Sequence, residues 1–111
     1  MMKNKISLDE ARLKLKMEAE LPFTVLMQHG TMSIEYFAPK GEDTQQPHLQ
    51  DELYVIASGK SNFMCGNEFI DCEKGDVLFV PAGMEHRFIH FTDDFATWVI
   101  FYGAKGGENE L

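Results

Sequence analysis

From Phe23 onward the chain breaks into short runs of alternating apolar and polar residues, each closed by residues that turn a backbone. The runs are Thr24–Gln28, Met32–Ala38, Leu53–Ser58, Lys60–Cys65, Glu68–Cys72, Val77–Val80, His86–Phe91 and Phe95–Phe101. A period of two belongs to a strand with one face buried. His29-Gly30, Ser58-Gly59, Gly66-Asn67, Lys74-Gly75-Asp76 and Pro81-Ala82-Gly83 supply turn chemistry between the runs. Seven or eight short strands at this spacing predict an all-β sandwich or barrel.

Ahead of the strands, Ser7-Leu8-Asp9-Glu10 has the form of a capping box, with Ser7 as N-cap and Glu10 reaching back. It predicts a short helix running through Arg12 and Leu15 and ending before Pro22. The chain therefore divides into an N-terminal helical segment (1–22), a β domain (23–103) and a Gly- and Glu-rich tail (104–111) expected to be mobile. At 111 residues there is material for one hydrophobic core, and no internal repeat marks a second domain.

Charge narrows the partners. Eighteen acidic against ten basic residues give a formal charge of −8, which repels phosphate backbones and anionic lipid. Neither nucleic acid nor a membrane is expected. No apolar run approaches the roughly 20 residues that cross a bilayer. The N-terminus carries Asp9 and Glu10 and lacks the apolar stretch of a secretory signal, so a cytoplasmic location is expected. The cysteines agree with that. With Gly66-Asn67 as a two-residue hairpin turn, Cys65 faces Glu68 and Cys72 faces Ser61. The sulfurs then lie on the order of 13 Å apart along the ladder, whereas a disulfide needs Cα atoms within about 7 Å. Both read as free thiols of a reducing compartment.

Two stretches carry chemistry. In Gln46-Pro47-His48-Leu49-Gln50-Asp51-Glu52-Leu53-Tyr54, an extended backbone would put Gln46, His48, Gln50, Glu52 and Tyr54 on one face. A sheet interior accepts an imidazole and a carboxylate only when they are paired, hydrogen-bonded or bound to a metal. In the second stretch, a buried strand Val77–Val80 enters the Pro81-Ala82-Gly83 turn, and the same alternation puts His86, Phe88 and His90 on one face.

Both stretches resemble the two signature motifs of the cupin superfamily, in the right order. Glu52, six intervening residues and Gly59 match the end of the first motif, with His48 at the second-histidine position and Gly41 as its opening glycine. Gly75, Pro81, Gly83 and His86 match the second motif without a slip, and His90 stands where the family motif closes on Asn. The resemblance implies a double-stranded β-helix, or jelly-roll barrel. It implies that His48, Glu52 and His86 bind one divalent metal ion, with Fe, Mn, Ni and Zn not distinguished. The first-histidine position holds Gln46, whose amide is a weaker ligand for such ions than imidazole. Gln46 is thus either a fourth ligand or a solvent-facing loop residue beside Pro47.

Further candidates attend the site. His90 is an acid–base group or a satisfied core histidine, and Tyr54 is a catalytic candidate or pocket wall. Phe63, Phe79, Phe88 and Trp98 read as core or pocket wall, while Glu85 and Arg87 should face away from the cavity. The resemblance implies a small-molecule substrate or ligand and a homodimer. Two functions compete: a metal-dependent enzyme, dioxygenase-like first and isomerase or lyase next, and a non-catalytic ligand-binding or sensor module.

Overall fold

A computed structural model describes residues 4–18 and 20–109. Residues 1–3, 19, 110 and 111 of the predicted helical segment and tail lie outside the described residues. Helix α1 (Leu8–Lys16) opens on the expected box: the Glu10 amide donates to Ser7 Oγ at 3.1 Å and the Ser7 amide to Glu10 Oε1 at 3.5 Å. Asp9 and Glu10 in its first turn and Lys14 and Lys16 in its last complement the helix dipole.

Eight strands follow: β1 (Phe23–His29), β2 (Met32–Phe37), β3 (Asp51–Ser58), β4 (Lys60–Cys65), β5 (Glu68–Glu73), β6 (Val77–Val80), β7 (His86–Ile89) and β8 (Ala96–Tyr102). All observed pairs are antiparallel. They form a five-stranded sheet in the order β1-β2-β8-β3-β6 and a three-stranded sheet in the order β5-β4-β7. Between the sheets lies the main core, including Phe37, Tyr54, Ile56, Phe63, Phe88 and Val99. Phe88 is its hub. Its ring centroid lies 4.7 Å from Phe63, 4.8 Å from Phe95 and 4.9 Å from Tyr54, the last edge-on at 82°. Such pairs add about 0.5–1.5 kcal/mol each beyond simple burial.

The outer face of the larger sheet is also apolar, and α1 covers one end of it. Ala11 is wholly buried there against a cluster with Tyr36, Ala57 and Ala96. Trp98 packs against this second apolar cluster rather than between the sheets, meeting Tyr36 edge-on at 5.8 Å. Beyond the helix, the register aligns Met27, Ile34, Ile100, Leu53 and Phe79 in one row across all five strands.

β6 differs from the buried strand expected of it. Leu78 and Val80 are buried, but Val77 and Phe79 are 61% and 53% exposed. The reason is position: β6 is an edge strand paired only with β3, and the outer face is uncovered at that edge. Phe79 is therefore neither core nor pocket wall.

The segment expected to be a mobile tail makes specific contacts. Gly106 N donates to Leu49 O at 2.6 Å, and Glu108 N to Asp51 Oδ2 at 2.9 Å. Both cysteines are free, in the register anticipated: Cys65 opposite Glu68 and Cys72 opposite Ser61. Burial, with Asp76 nearby, pushes the Cys72 thiol up to about 11. Native protein treated with a thiol-disulfide reagent at pH 8 is expected to react fast at one cysteine at most, with Cys72 reacting only on unfolding. A count of two thiols in unreduced, denatured protein checks the absence of a bridge.

Candidate metal centre

β3 begins at Asp51, so its alternation governs Glu52, Tyr54 and Ile56, all of which point inward. Glu52 stands opposite Val80 of β6 and Phe101 of β8, deep in the five-stranded sheet. His86 opens β7 in the other sheet, opposite Cys65. His48 comes from the irregular segment ahead of β3. These three side chains converge, their ligating atoms all within 4.8 Å of one another. Glu52 Oε1 lies 3.1 Å from His48 Nδ1 and 2.8 Å from His86 Nε2.

Burial makes this arrangement demanding. The side chains of Glu52 and His86 are 1% and 0% exposed, whereas His48 is 33% exposed and faces the cavity. His86 Nδ1 lies 2.8 Å from the Met84 carbonyl. A carbonyl only accepts, so Nδ1 carries a proton and the neutral ring presents the Nε2 lone pair to the Glu52 carboxylate. Two acceptors then face each other, and a positive charge is needed between them. Burial opposes the His86 imidazolium, but Glu52 and the Met84 carbonyl outweigh it and raise the ring's affinity for a proton. Burial likewise opposes the Glu52 carboxylate, but the close approach of the His48 and His86 rings holds its carboxyl below the ordinary range.

The fit to a cation rests on orphaned atoms. Glu52 Oε2 is buried with no hydrogen-bond partner, and His86 Nε2 lacks the alignment of a hydrogen bond despite its contact with Oε1. An unpaired buried carboxylate oxygen costs several kcal/mol. Two imidazoles and a carboxylate form a donor set suited to Zn, Fe, Mn or Ni. A ligand histidine whose other ring nitrogen donates to a carbonyl is the usual support for such a set.

The remaining candidates lie elsewhere. Residues 43–50 are not a strand, so the expected shared face stops short of Gln46, which is exposed and turns its amide to Thr44 O at 3.5 Å. Its neighbour Gln45 looks inward instead and accepts a 3.0 Å hydrogen bond from the Tyr54 hydroxyl. Tyr54 is buried, and burial together with Glu52 and Asp43 raises its phenol well above the usual value, keeping it neutral. His90 leaves the inner face because β7 ends at Ile89 and His90 takes a positive φ of 52°. It is exposed, with Nδ1 3.1 Å from Asn62 Oδ1, and is neither beside the His48–Glu52–His86 cluster nor in the core. Glu85 and Arg87 pair loosely at 3.6 Å away from the cavity.

Sequence reasoning passed over three residues. Asp43 is buried; its carboxylate accepts from Phe88 N at 2.8 Å and Gln45 Nε2 at 2.6 Å, closing the free edge of β7. Asp51 points outward and accepts from Ala82 N at 2.9 Å, while Gly83 N donates to His48 O at 2.9 Å. The Pro81-Ala82-Gly83 turn is thereby fastened to both sides of the His48–Glu52 segment. Glu35 projects from β2 into a cavity of about 710 Å³, shared with His48, Phe37, Gln45, Tyr54 and Phe101. The alternation of Ser33, Glu35 and Phe37 was a signal for it, obscured by the equally apolar opposite face of β2.

Two outcomes follow. Asp43→Ala strands the buried Phe88 amide and is expected to lower stability by about 1–3 kcal/mol in urea unfolding. Gln46→His is expected to leave metal affinity unchanged when metal-free protein is titrated with Co(II) and followed by absorbance. A gain in affinity would put residue 46 at the ligands after all.

Comparison with known proteins agrees with this architecture. The Cupin domain family model matches residues 33–102, which include both motifs and all three converging side chains. An uncharacterized protein of Streptomyces coelicolor, SCO3923, is 41% identical over 59 residues, 53% of this chain and 56% of that protein. The match thus spans about half the length of that curated relative. A cupin superfamily protein of Desulfitobacterium hafniense is 27% identical over 71% of this chain and 73% of its own, with a TM-score of 0.60. A chain from the structures of the DMSP lyases RdDddP and RnDddQII is 29% identical, covering 67% of this chain and 38% of that one, with a TM-score of 0.55. By sequence, topology and the order of its motifs, the chain belongs to the cupin family.

Proposed function

We propose that this protein is a metal-dependent cupin acting on a small molecule, with His48, Glu52 and His86 holding one divalent ion of the Fe, Mn, Ni or Zn group. The observation that carries this reading is Glu52 Oε2, buried and unpartnered beside two imidazoles, one of which, His48, lines a cavity. When bound, the ion would supply Lewis acidity and open positions for a substrate oxygen, water or dioxygen.

The chain's own residues do the rest. The Met84 carbonyl fixes the His86 tautomer, so Nε2 faces Glu52. Tyr54 stays protonated and, held by Gln45, offers a fixed dipole beside the site. Phe37, Val99 and Phe101 line the cavity with apolar surface, thinning the water around a bound substrate and strengthening every charge interaction there.

Dioxygenase-like chemistry ranks first, because two histidines and one carboxylate with open positions suit non-haem Fe(II) oxygenases. Isomerase or lyase chemistry ranks next, supported by the likeness to a chain of the DMSP lyase structures. A non-catalytic ligand-binding module is the competing reading. It is favoured by one observation: Glu52 Oε1 contacts both imidazoles directly, at 2.8 and 3.1 Å, as in a self-contained ion-pair cluster.

Metal analysis of the purified protein separates the two. The enzyme reading expects close to one transition-metal ion per chain, lost from His86→Ala while the variant stays folded by circular dichroism. Wild-type protein that takes up none of Fe, Mn, Ni or Zn after chelation and reloading would falsify it.

A further inference from the structure

Glu35 is a carboxylate without a counterpart. Its neighbours across the sheet are Val25 on β1 and Val99 on β8, and it has no hydrogen-bond or ion-pair partner among the described residues. Burial raises its carboxyl, an effect that His48 opposes and Glu52 reinforces. A half-buried carboxylate in such a place is costly unless something positive meets it.

The rest of the cavity says what that could be. Glu42 and Asp43 also line it, and no Lys or Arg does among the described residues. Asp43 is already engaged by Phe88 N and Gln45, which leaves Glu35 as the inward carboxylate free to take a ligand. With Glu35, Glu42 and Asp43 in it, the lining stays net negative even with a divalent ion at the neighbouring His48, Glu52 and His86, so an anionic group is repelled everywhere except at the ion itself. The same cavity is lined by aromatic rings: Phe23, Phe37, Tyr54 and Phe101. Aromatic faces attract cations, most strongly where water is thin, and a single carboxylate among them completes a site for a bulky onium group.

We infer that the substrate is a small organic cation, its charged head held between Glu35 and the rings of Phe37 and Phe101, and an oxygen function turned toward His48, Glu52 and His86. This deepens the metal-site reading by naming the substrate class. It places Glu35 as the residue that selects substrate, apart from the metal ligands. The same lining disfavours phosphate and carboxylate groups everywhere but at the ion.

The test compares choline with 3,3-dimethylbutan-1-ol, its uncharged carbon counterpart, by calorimetric titration of the metal-loaded protein. Choline is expected to bind at least about tenfold more tightly, a preference of the size cation–aromatic and ion-pair contacts supply. Glu35→Gln should abolish the preference while keeping the wild-type metal content. Equal binding of the two compounds, or no binding of choline, overturns the inference. So does a preference that survives Glu35→Gln, and so does loss of metal in that variant, which would make Glu35 part of the metal shell. If wild-type protein takes up no metal yet prefers choline through Glu35, the cation site stands and the metal reading fails.

Discussion

The structure is organised around one buried carboxylate. Glu52 sits fully enclosed on a central strand, and an anion there is tolerated only because two imidazoles reach it from different parts of the chain. His86 starts a strand in the opposite sheet, so the contact joins the two layers of the sandwich. Much of the surrounding architecture serves to keep those three groups in place. Aromatic rings enclose His86, with Tyr54 at 6.0 Å and Phe63 at 6.1 Å between ring centroids. The Met84 carbonyl orients its ring from behind.

The two motifs are also linked through their backbones. Asp51 and Glu52 are consecutive, and alternation sends their carboxylates to opposite faces of β3. The inner one meets the imidazoles; the outer one holds the turn that delivers His86 and, through Glu108, the end of the chain. Gly107 fits beside Asp51 because a side chain there would come within 2.9 Å of its Oδ1. Asp43 repeats the device on the other sheet, tying the segment that carries Gln45 and His48 to the edge of β7.

Most of the fold was legible because period-two alternation and turn residues are local signals. Every strand was anticipated to within about two residues, and the Ser7 capping box was anticipated outright. The convergence of three side chains was legible through spacing: His48, Glu52 and His86 fall at motif positions. Beyond the ends of a strand, alternation is a weaker guide. Gln46 lies in the unpaired segment ahead of β3 and takes the solvent-facing alternative, while His90 follows β7 with a positive φ that turns it off the inner face. Phe79 was misjudged, and Trp98 joined the second apolar cluster rather than the one between the sheets, for another reason. A sheet with apolar residues on both faces gives no local sign of which face is covered, and coverage depends on where α1 lands. Asp43 was invisible because its partner, the Phe88 amide, is 45 residues away and belongs to the backbone.

The row of Met27, Ile34, Ile100, Leu53 and Phe79 has a colloidal consequence. Such a row favours contact with any similar surface, and the excess of carboxylates opposes that attraction at neutral pH. That repulsion vanishes near the isoelectric point of about 4.8 and is shortened by salt to a Debye length of about 10 Å at 0.1 M. Acidic, saline buffers therefore remove the one long-range force opposing self-association while leaving the greasy strip intact.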